Sequence, residues 1–449
     1  MAVGQPNGSS ESQIRFIPLT YSSEDSESAA ALITQLRPDW QPSSIRFTRF
    51  TDGITNTLLK AISSDSPDPD TDAILLRAYG NGTDLLIDRH RETQNHELLW
   101  RHGLAPELLA RFENGMLYRY VRGTVTSPAD LRDERIYRAV ARRLAQWHAT
   151  VPCLPGQTGH SRRSSKADGG VAKGKELVPQ DEAEYQRAVD GVAPGKPTPN
   201  VWTVMQKWIF ALPTETEAQG ARQEELQREL KWLVGELSQR EGLGKNGLVF
   251  AHCDLLSGNV IVLPKPEGGA NGTNGDHNDS DSNNTSATSS PPRTETVTFI
   301  DYEYATPSPA AFDIANHFAE WGGFDCDFGV LPTRRQRRDF IEEYVRSYFK
   351  LAPQQTTDGG QAAAAAAVDL DAEVEKLFCE VDVFRGVPGF YWGIWALIQA
   401  TISTIDFDYA SYAETRLGEY WAWKAEADGS RAKSGLEMPL RERRWAQEE

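Results

Sequence analysis

The chain of 449 residues is 39% hydrophobic with a formal net charge of −17, which is enough apolar content for two or three lobes and too acidic for a nucleic-acid surface. Its four cysteines, Cys153, Cys253, Cys326 and Cys379, make no C-x-x-C pair and no disulfide framework, which excludes a zinc ribbon and a stapled scaffold. The longest apolar run, 390–400, is too short to cross a bilayer and residues 1–13 carry no basic apolar signal, so a soluble, cytoplasmic protein with no integral membrane contact is expected.

In chain order, residues before about 24 lack periodicity and are expected to be loose, and 26–36 reads as a short helix, so 1–42 forms an N-terminal tail. A first lobe is expected over 43–121. Its strands are 45–50, 56–61, 73–79, 108–112 and 116–121, and its helix is 92–101, stopped by Gly103 and Pro106. A mainly helical lobe follows over 122–424. Ile136, Val140, Leu144 and Trp147 recur at helical spacing, 202–210 and 223–237 read as further helices, and 260–263 with 297–300 reads as a hairpin. Three low-complexity stretches, 156–195, 264–295 and 353–368, are expected to be flexible insertions, and 425–449 a charged, fraying tail. The middle insertion splits the hairpin. Closing such a loop costs only about 0.6 kcal/mol per doubling of its length, so the hairpin tolerates it.

Two polar clusters flank that hairpin. His252-Cys253-Asp254-Leu255-Leu256-Ser257-Gly258-Asn259 enters its first strand and Asp301-Tyr302-Glu303-Tyr304 leaves its second on the same side. An H-x-D-x-x-x-x-N pattern followed by a strand and an Asp is the arrangement of a phosphoryl-transfer site. Asp254 is the candidate base. Asn259 and Asp301 offer the oxygen ligands that magnesium takes, and Glu303 is open to either the metal or a hydrogen bond. His252 is a candidate catalytic residue for which a structural role in holding the loop is the favoured reading, and Asp313 is a candidate brace for the loop or an ordinary helix cap. In the first lobe, Gly53, Thr55 and Asn56 in a small-residue turn, with Arg77 partnered by Glu97, are candidates for holding nucleotide phosphates. Trp392 and Trp395 share a helical face and, with Tyr304, Glu320 and Phe407, are candidates for an organic-cation pocket.

At these motifs the chain resembles the choline/ethanolamine kinase family, most closely its ethanolamine-phosphorylating members, from about Phe47 to Trp423. The resemblance lies in 51–56, 77–89, both polar clusters, 312–321, 392–400 and 403–407. It implies an α+β, protein-kinase-like two-lobed fold, with a small mainly-β N-lobe carrying one helix and a larger mainly-α C-lobe. It also implies Mg2+- and ATP-dependent phosphorylation of ethanolamine on the way to phosphatidylethanolamine, with a homodimer as one expected assembly. The family more often has Asn where this chain has Cys253. Choline kinase or dual activity is the alternative. A silent nucleotide-binding scaffold and an antibiotic phosphotransferase are the readings from further away.

Overall fold

In the computed structural model, which describes residues 14–25, 27–50, 56–80, 86–153, 178–179, 181–265, 295–352, 368–403 and 405–449, the β-branched and aromatic runs of the first lobe pair into one six-stranded sheet. Its strands are β1 (Phe16–Ile17), β2 (Ile45–Phe50), β3 (Asn56–Ser63), β4 (Ile74–Tyr79), β5 (Leu108–Phe112) and β6 (Gly115–Arg119), in the order β1-β5-β6-β4-β3-β2. All pairings are antiparallel except that of β1, which lies parallel to β5.

From residue 14 the expected loose N-terminal tail is corrected by this sheet, while residues 1–13 lie outside the described residues. Ile17 is buried in its edge strand, and helix α1 (Ser28–Leu36) buries Leu32 and Ile33 in the core that the sheet shares with Trp40. Isolated apolar residues escaped a search for periodicity because a two-residue strand has no period to show. Helix α2 (Arg89–Arg101) starts three residues before the expected 92, where the Asp88 carboxylate accepts the Arg91 N–H at 3.1 Å.

The second lobe is mainly helical: α3 (Glu134–Thr150), α4 (Glu182–Asp190), α5 (Val201–Phe210), α6 (Glu217–Leu237), α7 (Ala310–Ala319), α8 (Arg334–Leu351), α9 (Leu370–Phe384), α10 (Val387–Ile402), α11 (Tyr409–Ala427), α12 (Ser430–Ser434) and α13 (Leu440–Ala446). Its strands are β7 (Thr124–Val125), β8 (Val249–Ala251), β9 (Val260–Val262), β10 (Val297–Phe299) and β11 (Thr306–Ser308). The split hairpin forms, with Val260 opposite Phe299, and β7 joins its other edge. A second small ladder pairs β8 with β11. Among the described residues no helix is long and apolar enough to cross a membrane.

Two expectations for this lobe are corrected. The first insertion does not run to 195, because α4 lies within it and Val189 and Ala193 are buried there. Nor does the tail after 425 fray. Trp445 of α13 is buried, donates its indole N–H to Asp382 at 2.7 Å and lies 3.9 Å from the Arg337 guanidinium. Its neighbours Arg441 and Glu442 are buried in ion pairs with Glu419 and Arg385. One aromatic anchor thus outweighs the charge of the segment. Trp445→Ala is expected to lower unfolding free energy by about 3–5 kcal/mol in urea titration, where a frayed tail would cost nothing.

Candidate active site

Strand β8 delivers the first polar cluster as a loop whose backbone is held mostly by α7. Asp313 accepts the His252 N–H at 2.9 Å and the Cys253 N–H at 2.7 Å, Asn316 donates to the Cys253 carbonyl at 2.9 Å, and the His317 ring bonds the Leu255 carbonyl at 2.8 Å. Positions 313, 316 and 317 share one helix face, which is why one helix can grip four backbone groups of the loop, on His252, Cys253 and Leu255. Cys253 sits at φ 63°, a left-handed conformation that a non-glycine residue keeps only where its surroundings impose it. Burial raises the Asp313 carboxyl, but its bond to His148 at 3.0 Å and the nearby imidazoles outweigh this and hold it below its ordinary value.

His252 makes the contacts of the structural role favoured for it rather than those of a catalytic group. It is fully buried, its Nε2 lies 3.1 Å from the Ile300 carbonyl, and its ring packs on Trp147 and Phe299. It therefore ties the loop to the strand end that precedes Asp301. Burial pushes the imidazoles of His96, His252 and His317 down to about 4. In the unfolded chain each takes a proton near 6.5, so the native state binds fewer protons than the unfolded state between those values. Stability is therefore full above about pH 6.5 and falls as pH drops toward 4, by about 1.4 kcal/mol per pH unit for each histidine. Urea midpoints at stepped pH check this, and His96→Gln is expected to flatten the slope.

Asn259 ends a one-turn helix over Ser257–Asn259 and donates its amide to the Asp254 carbonyl at 2.8 Å and carboxylate at 3.1 Å, which directs its own carbonyl oxygen away from that contact. The Ile300 N–H bonds the Asn259 carbonyl at 3.0 Å, and Asp301 follows at φ 65°, turning the chain out of β10. Asp254, Asn259, Asp301 and Glu303 line one cavity of about 300 Å³ that also takes in Arg77, Tyr304, Glu320, Trp392 and Trp395. Burial, and after it the charges of Asp301, Glu320 and Glu303, push the Asp254 carboxyl well above the usual carboxylate range. That crowding of buried acids is what a divalent cation relieves, and the oxygens of Asn259 and Asp301 are hard donors of the kind magnesium takes. Among the described residues no group of three or more His, Cys, Asp or Glu forms a ready-made metal cage. Water and phosphate oxygens would have to supply the remaining ligands of a metal ion held here.

Arg77 reaches this cavity from β4 and anchors a network between the lobes. It pairs with Glu92 at 3.1 Å, with Asp301 at 2.8 Å and with Glu303, while Arg89 pairs with Glu92 at 2.9 Å. The expected partner Glu97 is corrected to Glu92. Five positions along a helix rotate a side chain by about 140°, and Glu97 bonds Arg101 near the surface. Glu303 takes the hydrogen-bonding option, accepting the Asn56 amide at 2.9 Å as well as Arg77, so both Asn56 and Glu303 face this network. Gly53 and Thr55 lie outside the described residues.

At the far wall, the Trp395 indole N–H donates to the Tyr304 hydroxyl at 2.8 Å and the Trp392 ring meets those of Tyr304 and Trp395 edge-on. The Trp392 indole also donates to Asn316 at 2.8 Å, linking the aromatic wall to the helix that grips the loop. Glu320 is buried and paired with Arg416 at 2.8 Å. Phe407 is corrected: it is not among the residues that line the cavity, and its exposed ring packs on Phe324 and Tyr412, which are. Tyr412 and Arg416 come from α11, which closes on α10 because a Cβ on Gly389 would meet the Arg416 carbonyl at 2.5 Å and one on Gly393 the Leu417 side chain at 2.7 Å. Glu92, Tyr412 and Arg416 went unread in the sequence. Only Glu92 left a signal, spaced three from Arg89 in the first turn of α2.

The profile described as choline/ethanolamine kinase matches residues 47–421. Ethanolamine kinase 2 of Homo sapiens is 32% identical over 416 residues, 92% of this chain and 83% of that protein. Ethanolamine kinase 1 of Mus musculus is 30% identical over 418 residues, 92% of each chain. An ethanolamine kinase structure from Plasmodium vivax superposes with a TM-score of 0.60 at 21% identity, covering 88% of this chain and 89% of that one, a likeness of fold.

Proposed function

Since the chain belongs to the choline/ethanolamine kinase family, we propose that it transfers the γ-phosphoryl group of ATP to the hydroxyl of ethanolamine, giving phosphoethanolamine for phosphatidylethanolamine synthesis. The observation that carries this reading is the one cavity that Asp254, Asn259 and Asp301 share with Tyr304, Glu320, Trp392 and Trp395.

In this mechanism Asp254 orients the acceptor hydroxyl and takes its proton, a role suited to a buried carboxylate whose basicity is raised. Asn259 and Asp301 would hold magnesium, which when bound would offset the negative charge that develops on the transferring phosphoryl group. Arg77, fixed by Glu92, grips phosphate with its fork of donors. Trp392, Trp395, Tyr304 and Tyr412 exclude water around the ammonium end and face it with aromatic rings. Asp313, Asn316 and His317 keep the loop's backbone in place, so that the proton acceptor meets the hydroxyl without reorganisation.

One observation favours a second reading, activity on choline as well. Glu320, the carboxylate assigned to the ammonium end in this scheme, already has a partner in Arg416, which weakens any advantage of a primary ammonium that could donate to it. Coupled-assay kcat/KM on ethanolamine and choline separates the two. Ethanolamine is expected to be the better substrate, and the absence of turnover on either would refute both readings. A cytoplasmic location fits the four unpaired thiols, and sedimentation of the purified chain tests for a homodimer.

A further inference from the structure

Arg77 brings one guanidinium to three carboxylates: Glu92 on its own lobe, at its Nε, and Asp301 and Glu303 on the other, at one of its terminal nitrogens. Its side chain is 5% exposed and that of Asp301 is 27% exposed, so the pair sits at the inner edge of the cavity, where water screens it little. Under the function proposed above, on which this inference rests, each member of the pair has a second claimant: a cation for Asp301 and phosphate for Arg77. A carboxylate that faces a guanidinium and a divalent ion together sets two cations within a few ångströms of each other in a medium of low dielectric.

We propose that Arg77 and the metal ion compete for the Asp301 carboxylate, and that the phosphates of the nucleotide settle the competition by drawing Arg77 to themselves. An arginine cannot release a carboxylate by losing its proton, so it releases one only by turning to another anion. Glu92 faces the Nε side of the guanidinium at 3.1 Å and Glu303 accepts from the same terminal nitrogen that meets Asp301, so two carboxylates keep Arg77 in place and its contact with Asp301 is the one that changes partners. Metal and nucleotide then bind as a linked pair: whatever draws Arg77 from Asp301 raises affinity for the metal, and the metal raises affinity for the nucleotide by the same factor.

The test measures binding of Mn2+, a spectroscopic stand-in for magnesium, by the paramagnetic signal of the free ion with no nucleotide present. Wild-type protein is expected to bind Mn2+ weakly. The double variant Arg77→Met/Glu92→Gln removes one buried charge of each sign, so net charge does not change, and it is expected to bind Mn2+ at least about tenfold tighter. Adding Asp301→Asn is expected to abolish that gain. Should the double variant not fold, Arg77→Lys keeps the buried charge while losing the fork that spans Glu92 and Asp301, and it is expected to bind Mn2+ about threefold tighter or more. A folded variant that binds Mn2+ no tighter than wild type overturns the inference. The titration uses protein first shown to phosphorylate ethanolamine, so a failure of the functional reading is seen before and apart from a failure of this one.

Discussion

Asp254→Asn is expected to lower kcat on ethanolamine by about 10²–10⁴-fold while leaving the fold intact. The substitution keeps the volume of the side chain and removes the proton acceptor. It also removes one of the crowded acids, since the Asp254 carboxyl is buried and faces the charges of Asp301, Glu320 and Glu303. Deleting a repelled buried charge relieves strain, so the melting temperature should stay level or rise as activity falls. That combination separates a chemical role from a structural one, because a residue kept for stability would lose both together. Single-turnover rates with a thermal melt on the same preparation check it, and turnover near the wild-type level in a folded variant would sink the assignment.

A second substitution is expected to act through the fold. Asp313→Ala strips the acceptors from the His252 and Cys253 N–H groups and leaves His148 without its carboxylate, all three in full burial. Breaking a buried charged network on one side costs about 3–5 kcal/mol. It also frees the loop at Cys253, whose φ of 63° has no other intrinsic support in a side chain of that type. Asp254 follows immediately, and a displacement of about 1 Å at a reacting group costs roughly 10²-fold in rate. Urea unfolding and kcat should therefore fall together. Asp313→Asn keeps one acceptor and should lose less of both, and equal losses in the two variants would contradict the bracing geometry.

The two-lobed architecture and the split hairpin were legible because each rests on local signals: period-2 runs for the strands, helical spacing from Ile136 to Trp147, and a polar cluster at each end of the hairpin. The N-terminal strand and the C-terminal helix were not legible. Phe16–Ile17 is too short for a pattern, and α13 is stabilised by a single tryptophan and ion pairs to residues more than twenty positions away. The cluster Asp254, Asn259 and Asp301 was legible because only four residues and one hairpin separate its members.

Partner choice is where local information ended. Glu92 and Glu97 are the same residue type on one helix, and only the angle at which α2 meets β4 turns Glu92 to Arg77. His252 lies two residues from Asp254, yet its ring turns inward to Trp147 while Asp254 lines the cavity. Phe407 was grouped with Trp392 and Trp395, but the rings that line the cavity are Tyr412 of α11 and Phe324, on which Phe407 packs. The sequence by itself determined the chemical inventory and the lobe that carries each part, because periodicity and short-range spacing are properties of the chain alone. Which charge faces which, and which ring meets the cavity, was decided by tertiary structure, since rotations of a side chain about a packed helix are set by its neighbours in space.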